Sequence, residues 1–193
     1  MRELSLNVAV IYGSVRRQRQ GIKAARFMLR KLSKRGHRVT LIDPQEYPLP
    51  LLDLRHREYE AGAAPEAMQT VHELLDAANA FVIVSGEYNH GIPPALKNLL
   101  DHFLPEFRHK ASGIVSYSAG SFAGARVHAS LREVLATLGS PTLPATLGIS
   151  AIGDAIADEG KAIDIAYDSR VEKFLDEFEW FAGALARETG DIL

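Results

Sequence analysis

Three short segments of the 193-residue chain hold the side chains best suited to chemistry, and the first is GSVRRQRQG at residues 13–21. It follows an apolar run and precedes a helical pattern, so backbone N–H groups and a positive helix end should point at the same place. Ser14 adds a hydroxyl donor, and Arg16, Arg17 and Arg19 add guanidinium groups that pair with phosphate oxygens. The segment therefore predicts a phosphate site, with a solvated basic turn as the alternative.

The second segment, EYNHG at residues 87–91, follows another apolar run and leads into two prolines that suit the first turn of a helix. Tyr88 offers a flat ring for stacking, and Asn89 offers both a donor and an acceptor. Gly91 is expected to take a backbone conformation closed to other residues, which would make the loop rigid. In the alternative interpretation, Glu87 is an acid at a helix entry and the histidine is a plain surface residue.

The third segment, SYSAGSFAG at residues 116–124, consists mostly of small residues. Small side chains let a flat ligand approach the backbone closely, and the helical pattern that follows would turn a positive end towards a developing negative charge. A flexible Gly/Ser loop is the alternative. In an open α/β sheet, loops at the carboxyl ends of neighbouring strands bind the ligand, so we expect the three segments to lie together.

Other chemistries lack their sequence patterns. No Walker loop, no Gly-x-Gly-x-x-Gly turn, no His-Glu-x-x-His pair and no Gly-x-Ser-x-Gly elbow occurs in the chain. Asp43 is a candidate for a ribose-binding acid but is more often just a strand-terminal residue. The seven histidines show no ligand spacing, so the sequence predicts no metal site.

The elements that must position these segments are five apolar runs with helical stripes between them. The runs cover residues 6–13, 37–43, 80–86, 112–118 and 142–150. The first four are continuous rather than alternating, which is typical of parallel strands covered on both faces. Strand and helix alternate five times, so the pattern predicts a doubly wound α/β fold. Residues 44–64 form the longest irregular segment, either a plain loop or one wall of a site.

The composition limits the class of protein. Hydrophobic residues make up 47%, and the length fits one domain spanning residues 1–193. A net charge of −2 gives no basic footprint for nucleic acid and no polybasic membrane surface. The chain has no cysteine, which removes disulfides and thiol catalysis and fits a cytoplasmic protein. The apolar run near the start is too short for a signal peptide or a membrane span.

These motifs resemble the NAD(P)H-dependent FMN reductases, a flavodoxin-like group that includes quinone, azo-dye and chromate reductases. The resemblance covers nearly the whole chain and rests on YGSVRRQRQG, GEYNHGIPPALKNLLD and SAGSFAG. It implies a flavodoxin-like doubly wound sheet of five parallel strands in the order 2-1-3-4-5, with helices on both faces. It also implies a non-covalent FMN and NAD(P)H as co-substrate.

The resemblance further implies a role for each segment. The first would hold the FMN phosphate, the second the isoalloxazine ring and the third the pyrimidine end of that ring. The residues implied are Ser14, Arg16, Arg19, Gln20, Gly21 and Ile22 for the first; Glu87, Tyr88 and Asn89 for the second; Ser118, Ala119 and Gly120 for the third. The chain departs from the family in having Gly86 where proline is common. A second departure leaves open which of Arg17, Gln18 and Arg19 faces the phosphate.

The function implied is a ping-pong oxidoreductase, with no general acid or base expected from the protein. Quinones, azo compounds, chromate or free flavin would accept the electrons, and family members are usually dimers or tetramers. A flavodoxin-type electron carrier is the main alternative, although near-neutral charge and the lack of a Thr-rich phosphate loop argue against it. A flavin-dependent regulatory binding protein and a Rossmann dehydrogenase are the remaining alternatives.

Overall fold

A computed structural model describes residues 5–189, so both ends of the predicted 1–193 domain lie outside the described residues. Its five strands are β1 (Asn7–Tyr12), β2 (Arg38–Ile42), β3 (Ala80–Ser85), β4 (Ala111–Tyr117) and β5 (Thr142–Ile149). They form one parallel sheet in the order β2-β1-β3-β4-β5. The predicted strands and their order are therefore confirmed.

Within residues 5–189, six α-helices connect or follow the strands. They are α1 (Ile22–Lys34), α2 (Glu66–Asp76), α3 (Pro94–His102), α4 (Val127–Thr137), α5 (Ile152–Ala155) and α6 (Ala166–Glu188). Gly36 takes a φ of 87° just beyond α1, which is the helix stop that its position predicts. The sequence analysis did not predict α5, because four residues are too few to show a helical period.

The helices cover both faces of the sheet. On one face, α1 and α6 bury apolar residues such as Phe27, Met28 and Phe178 against the strands. On the other face, α2, α3 and α4 do the same with residues such as Met68, Leu100 and Leu131. Every residue of β3 is buried, so its continuous apolar run reflects cover from two sides.

The outer strand β5 is the least regular of the five. Its burial alternates, and its register with β4 shifts between Ser112 and Ile114. Pro144 is tolerated because β5 lies at the edge of the sheet, where one side of the strand has no partner in the sheet. Among the helices of residues 5–189, none combines the length and the apolar character that a bilayer crossing requires.

Candidate functional site

The three segments singled out in the sequence meet at one edge of the sheet. The register pairs Tyr12 with Val84, and Ser85 with Ser116, so β1, β3 and β4 end side by side. Gly13 donates its backbone N–H to the Val84 carbonyl across 3.0 Å, which joins the start of the first segment to β3. The predicted convergence at the carboxyl ends of neighbouring strands is therefore confirmed.

The first segment leaves the N-terminus of α1 open. Gly21 occupies the N-cap position, no side chain caps the helix, and its first turn contains no acidic residue. The backbone N–H groups of Gly21 and Ile22 donate to no acceptor within residues 5–189. Arg16 and Arg17 are exposed beside this end. An uncapped helix start next to free guanidinium groups is chemically suited to an anion.

Arg19, by contrast, is engaged inside the protein. Its guanidinium pairs with the Asp43 carboxylate and donates to the Ser14 carbonyl at 3.1 Å. Burial opposes its charge, but Asp43 outweighs burial and raises the pKa of Arg19. Asp43 also accepts from the backbone of Gln45 at 3.0 Å, so it acts as a structural anchor at the end of β2. A contact between Arg19 and a phosphate stays a prediction, as do contacts by Gln20.

Ser14 is a buried residue of the first segment, at 2% exposure. Its hydroxyl oxygen lies 2.7 Å from the Tyr88 hydroxyl and 3.4 Å from the backbone N–H of Arg16. If both groups donate to that oxygen, the single Ser14 proton is left for another acceptor. Tyr88 therefore turns its hydroxyl towards the first segment, a link that the sequence, which suggested a stacking ring, did not indicate.

The second segment is a tight hairpin. Tyr88 and Gly91 exchange two backbone hydrogen bonds, of 3.1 and 2.9 Å. The two residues between them, Asn89 and His90, have φ values of 49° and 66°. The prediction that Gly91 takes the unusual backbone conformation is wrong, because the two-residue turn puts the left-handed conformation on its central residues instead. Asn89 tolerates this conformation better than most residues.

Glu87 joins the second segment to the third. Its carboxylate accepts from the backbone N–H of Arg126 at 3.0 Å and lies 3.5 Å from the Arg126 guanidinium. Arg126 is the N-cap residue of α4, so Glu87 acts as the acid at a helix entry that was considered as the alternative. This carboxylate already neutralises part of the positive end of α4, and an interaction of that end with a developing negative charge stays a prediction.

The third segment presents an open backbone surface. The Ser118 hydroxyl donates to the Gly120 carbonyl at 2.8 Å, and that carbonyl also accepts from the Ala151 N–H at 3.0 Å. A Cβ atom added to Gly120 would meet nothing within 4 Å. Ala119 and Gly120 are exposed, so a flat ligand has access to the backbone here.

Tyr117 is a site residue that the sequence analysis missed. Its ring fills the space between the first two segments, and a Cβ atom added to Gly21 would lie 1.8 Å from it. Burial raises the pKa of Tyr117, and burial raises the pKa of Tyr12 more than neighbouring hydroxyl groups such as that of Tyr117 lower it. Both hydroxyls therefore stay protonated at neutral pH. A large residue at the very end of a central strand is the signal that could have identified Tyr117.

The irregular segment 44–64 walls a cavity beside the first segment. The cavity measures about 360 Å³ and is mainly apolar. Val15 contributes from the first segment, Tyr47 and Leu51 from the irregular segment, and Pro94 and Asn98 from α3. Residues 44–64 therefore form one wall of this cavity, and its use as part of a site stays a prediction.

Comparisons with known proteins agree with this arrangement. The family model described as NADPH-dependent FMN reductase matches residues 6–154. A quinone reductase of Pseudomonas putida is 24% identical, over 89% of this chain and 92% of its own. A quinone reductase of Escherichia coli K12 is 31% identical, over 69% and 71%. The solved structure of the flavoenzyme NAD(P)H:(acceptor) oxidoreductase from Paracoccus denitrificans superimposes with a TM-score of 0.76 at 23% identity, over 93% and 98%.

Proposed function

The chain belongs to the NADPH-dependent FMN reductase family, and we propose that it carries two electrons from NAD(P)H to a small-molecule acceptor by a ping-pong mechanism. The observation that carries the proposal is the meeting of three ligand-accessible loops at the ends of β1, β3 and β4. The flavin is FMN and the electron donor is a nicotinamide nucleotide, as in the family. Bound FMN supplies the hydride chemistry, and the protein supplies binding and orientation.

The residues of the first segment fit the phosphate of FMN. The uncapped start of α1 offers backbone N–H groups, and Arg16 offers a mobile cation beside them. Ser14 would donate the proton that its contacts with Tyr88 and Arg16 leave free. In this proposal Arg19 holds the loop in place through Asp43, and Gln20, Gly21 and Ile22 contribute backbone.

The second and third segments fit the flat ring. Glu87, Tyr88 and Asn89 would line one part of it, with the rigid hairpin fixing their backbone. Ser118, Ala119 and Gly120 would line the pyrimidine end, where the exposed backbone allows close approach. The contact between Glu87 and Arg126 keeps the two loops at a fixed spacing. No side chain of this set is needed as a general acid or base.

The acceptor and the assembly are further parts of the proposal. The names of the relatives favour a quinone, and azo compounds, chromate and free flavin are further acceptors that can take electrons from an open flavin. The apolar cavity next to the first segment is suited to an aromatic acceptor. We include a homodimer or homotetramer and a cytoplasmic location, where NAD(P)H is available, in the same proposal.

The proposal is tested by the visible spectrum and turnover of the purified protein. We expect a flavin absorbance band that bleaches on anaerobic addition of NADH or NADPH and returns when a benzoquinone is added. Parallel double-reciprocal plots of initial rate would identify the ping-pong order. A protein that binds FMN but is not reduced by either nicotinamide at a useful rate would instead be an electron carrier of the flavodoxin type or a regulatory binding protein.

Tyr88 provides a sharper test of the phosphate contact. We expect Tyr88→Phe to raise the Kd for FMN about fivefold, because losing one hydrogen bond that orients Ser14 costs about 1 kcal/mol. The Kd for riboflavin, which lacks the phosphate, should not change, since phenylalanine keeps the ring. Flavin fluorescence titration of the apoprotein measures both values. Equal affinity of the variant and the wild type for FMN would show that the hydroxyl does not serve the phosphate.

A further inference from the structure

A second group of chemically capable side chains lies outside the three segments. It consists of His56, His72 and Glu106, and one ligand-type atom of each lies within 4.8 Å of the others. His56 belongs to the 3₁₀ turn His56–Glu58, His72 to α2 and Glu106 to the 3₁₀ turn Pro105–Phe107. The Glu106 side chain is 2% exposed, and those of the two histidines are 16% and 29% exposed.

The neighbours of His56 fix which of its ring nitrogens carries a proton. The amide nitrogen of Gln69 donates to the Glu73 carboxylate at 3.0 Å, so its amide oxygen faces His56. That oxygen lies 3.0 Å from His56 Nε2 and can only accept, which places the proton on Nε2. In the tautomer with its proton on Nε2, the ring turns the lone pair of Nδ1 towards Glu106 Oε1, 3.8 Å away.

Two hydrogen-bond acceptors, His56 Nδ1 and the buried carboxylate oxygen Glu106 Oε1, therefore face each other. Glu106 Oε1 also accepts a hydrogen bond from His72 Nδ1 at 2.8 Å, so both imidazole rings point at the same oxygen. Its other oxygen accepts from the Leu104 N–H at 2.9 Å. A buried carboxylate that faces a nitrogen lone pair is stabilised by a cation between the two, because a buried charge is costly without a partner of opposite charge. Gln69 already orients His56 and the Leu104 N–H already orients Glu106 by hydrogen bonds, as the outer partners of metal ligands do.

We propose that His56, His72 and Glu106 bind one divalent transition-metal ion of the zinc class, with water as the fourth ligand. Two nitrogens and a carboxylate oxygen are the donors that zinc prefers in sites of this kind. Ligand atoms around a tetrahedral zinc ion lie about 3.3 Å apart, given bonds of about 2.0–2.2 Å. The separations of 2.8 and 3.8 Å from Glu106 Oε1 lie on either side of that value.

Coordination changes the histidine rings in a defined way. The rings of His56 and His72 are stacked, with centroids 3.9 Å apart and planes 15° from parallel. A ring nitrogen offers its lone pair in the plane of the ring, so one ion can bind both only after a ring turns out of the stack. His72, the more exposed of the two, has room to turn. Its Nδ1 proton moves to Nε2, which leaves a neutral ring.

The ion would cross-link parts of the chain that are distant in sequence. It joins the irregular segment 44–64 to α2 and to the turn before β4. Part of that segment also walls the cavity beside the first segment. The sequence predicted no metal site because the three ligands are widely separated along the chain and follow no motif. The main effect of the bound ion should be on stability, since a ligand that binds only the folded state stabilises that state.

Zinc binding to the FMN-loaded protein tests the proposal. After treatment with EDTA and dialysis, Zn²⁺ is titrated and the bound metal is measured by elemental analysis. We expect one zinc ion per chain, and a rise in Tm of about 5–10 °C at a hundredfold excess over Kd. His72→Gln and His56→Gln should each weaken zinc binding at least about tenfold and remove the rise in Tm. His109→Asn is the control, because His109 is exposed and asparagine adopts its φ of 64°.

The remaining outcomes decide against the proposal. Equal zinc binding by the wild type and both ligand variants would place the ion elsewhere. The absence of stoichiometric zinc binding would also overturn it.

Discussion

Replacing Ser14 and Arg16 together by alanine is expected to weaken FMN binding roughly 150-fold, so that the purified protein loses most of its yellow colour. Hydrogen bonds to a charged group contribute about 1.5–3 kcal/mol each, and the double variant removes two of them. Even the lower value gives a total of about 3 kcal/mol in binding free energy. The uncapped start of α1 remains in this variant, so binding should be weakened rather than abolished. Equilibrium titration with FMN at constant ionic strength measures the effect.

Riboflavin is the matched control ligand for this double variant. It keeps the ring and the ribityl chain but lacks the phosphate, so its Kd should be the same for the variant and the wild type. The difference for FMN should shrink as salt is added, because exposed Arg16 acts partly through screened charge. A variant that still purifies with full FMN occupancy would show that the phosphate lies elsewhere.

Replacing Gly21 by alanine is expected to lower the free energy of unfolding by about 1–3 kcal/mol, the range for overfilling a packed site. The new Cβ atom would lie 1.8 Å from the Tyr117 ring, so the ring must move. The backbone itself is not the obstacle, since Gly21 has φ −66° and ψ −13°, which alanine adopts freely. Because Gly21 also starts α1 beside the proposed phosphate site, FMN affinity should fall as well. Urea denaturation of the apoprotein measures the loss of stability separately from the loss of FMN affinity.

Gly153→Ala is the matched control for the glycine substitution. A Cβ atom at Gly153 meets nothing within 4 Å, and Gly153 has no left-handed backbone. The free energy of unfolding of the Gly153→Ala variant should therefore stay within about 1 kcal/mol of the wild-type value. If Gly21→Ala is as stable as this control, Tyr117 moves without cost and the packing argument fails.

The sequence predicts the fold well because two strong signals agree. The continuous apolar runs of β1, β3 and β4 reflect burial on both faces, and the helical stripes between them fix the alternation of elements. Together with the resemblance, these patterns predict all five strands and the order of the sheet. They also predict that the three loops meet, because carboxyl ends of parallel strands share one edge.

The contacts within the site are less predictable, because they depend on where individual side chains turn. Arg19 looked like a phosphate ligand in the sequence, yet a buried Asp43 from the end of β2 takes its guanidinium. Glu87 neutralises the end of α4, a helix that begins far along the chain. No local pattern reports such pairings, since the partners lie in different loops that are far apart in the chain.

Tyr117 links three positions that are far apart in the chain, so substitutions at these positions are expected to depend on one another. Its ring touches the space above both Gly21 and Gly86, and a Cβ atom at Gly86 would lie 3.2 Å from it. The resembling family commonly has proline at the position of Gly86, and proline brings that Cβ atom. Homologues with this proline are therefore expected to carry a smaller residue at position 117, whereas those with the tyrosine should keep both glycines. Exchanging a single loop between such homologues should fail unless the residue at 117 is exchanged with it.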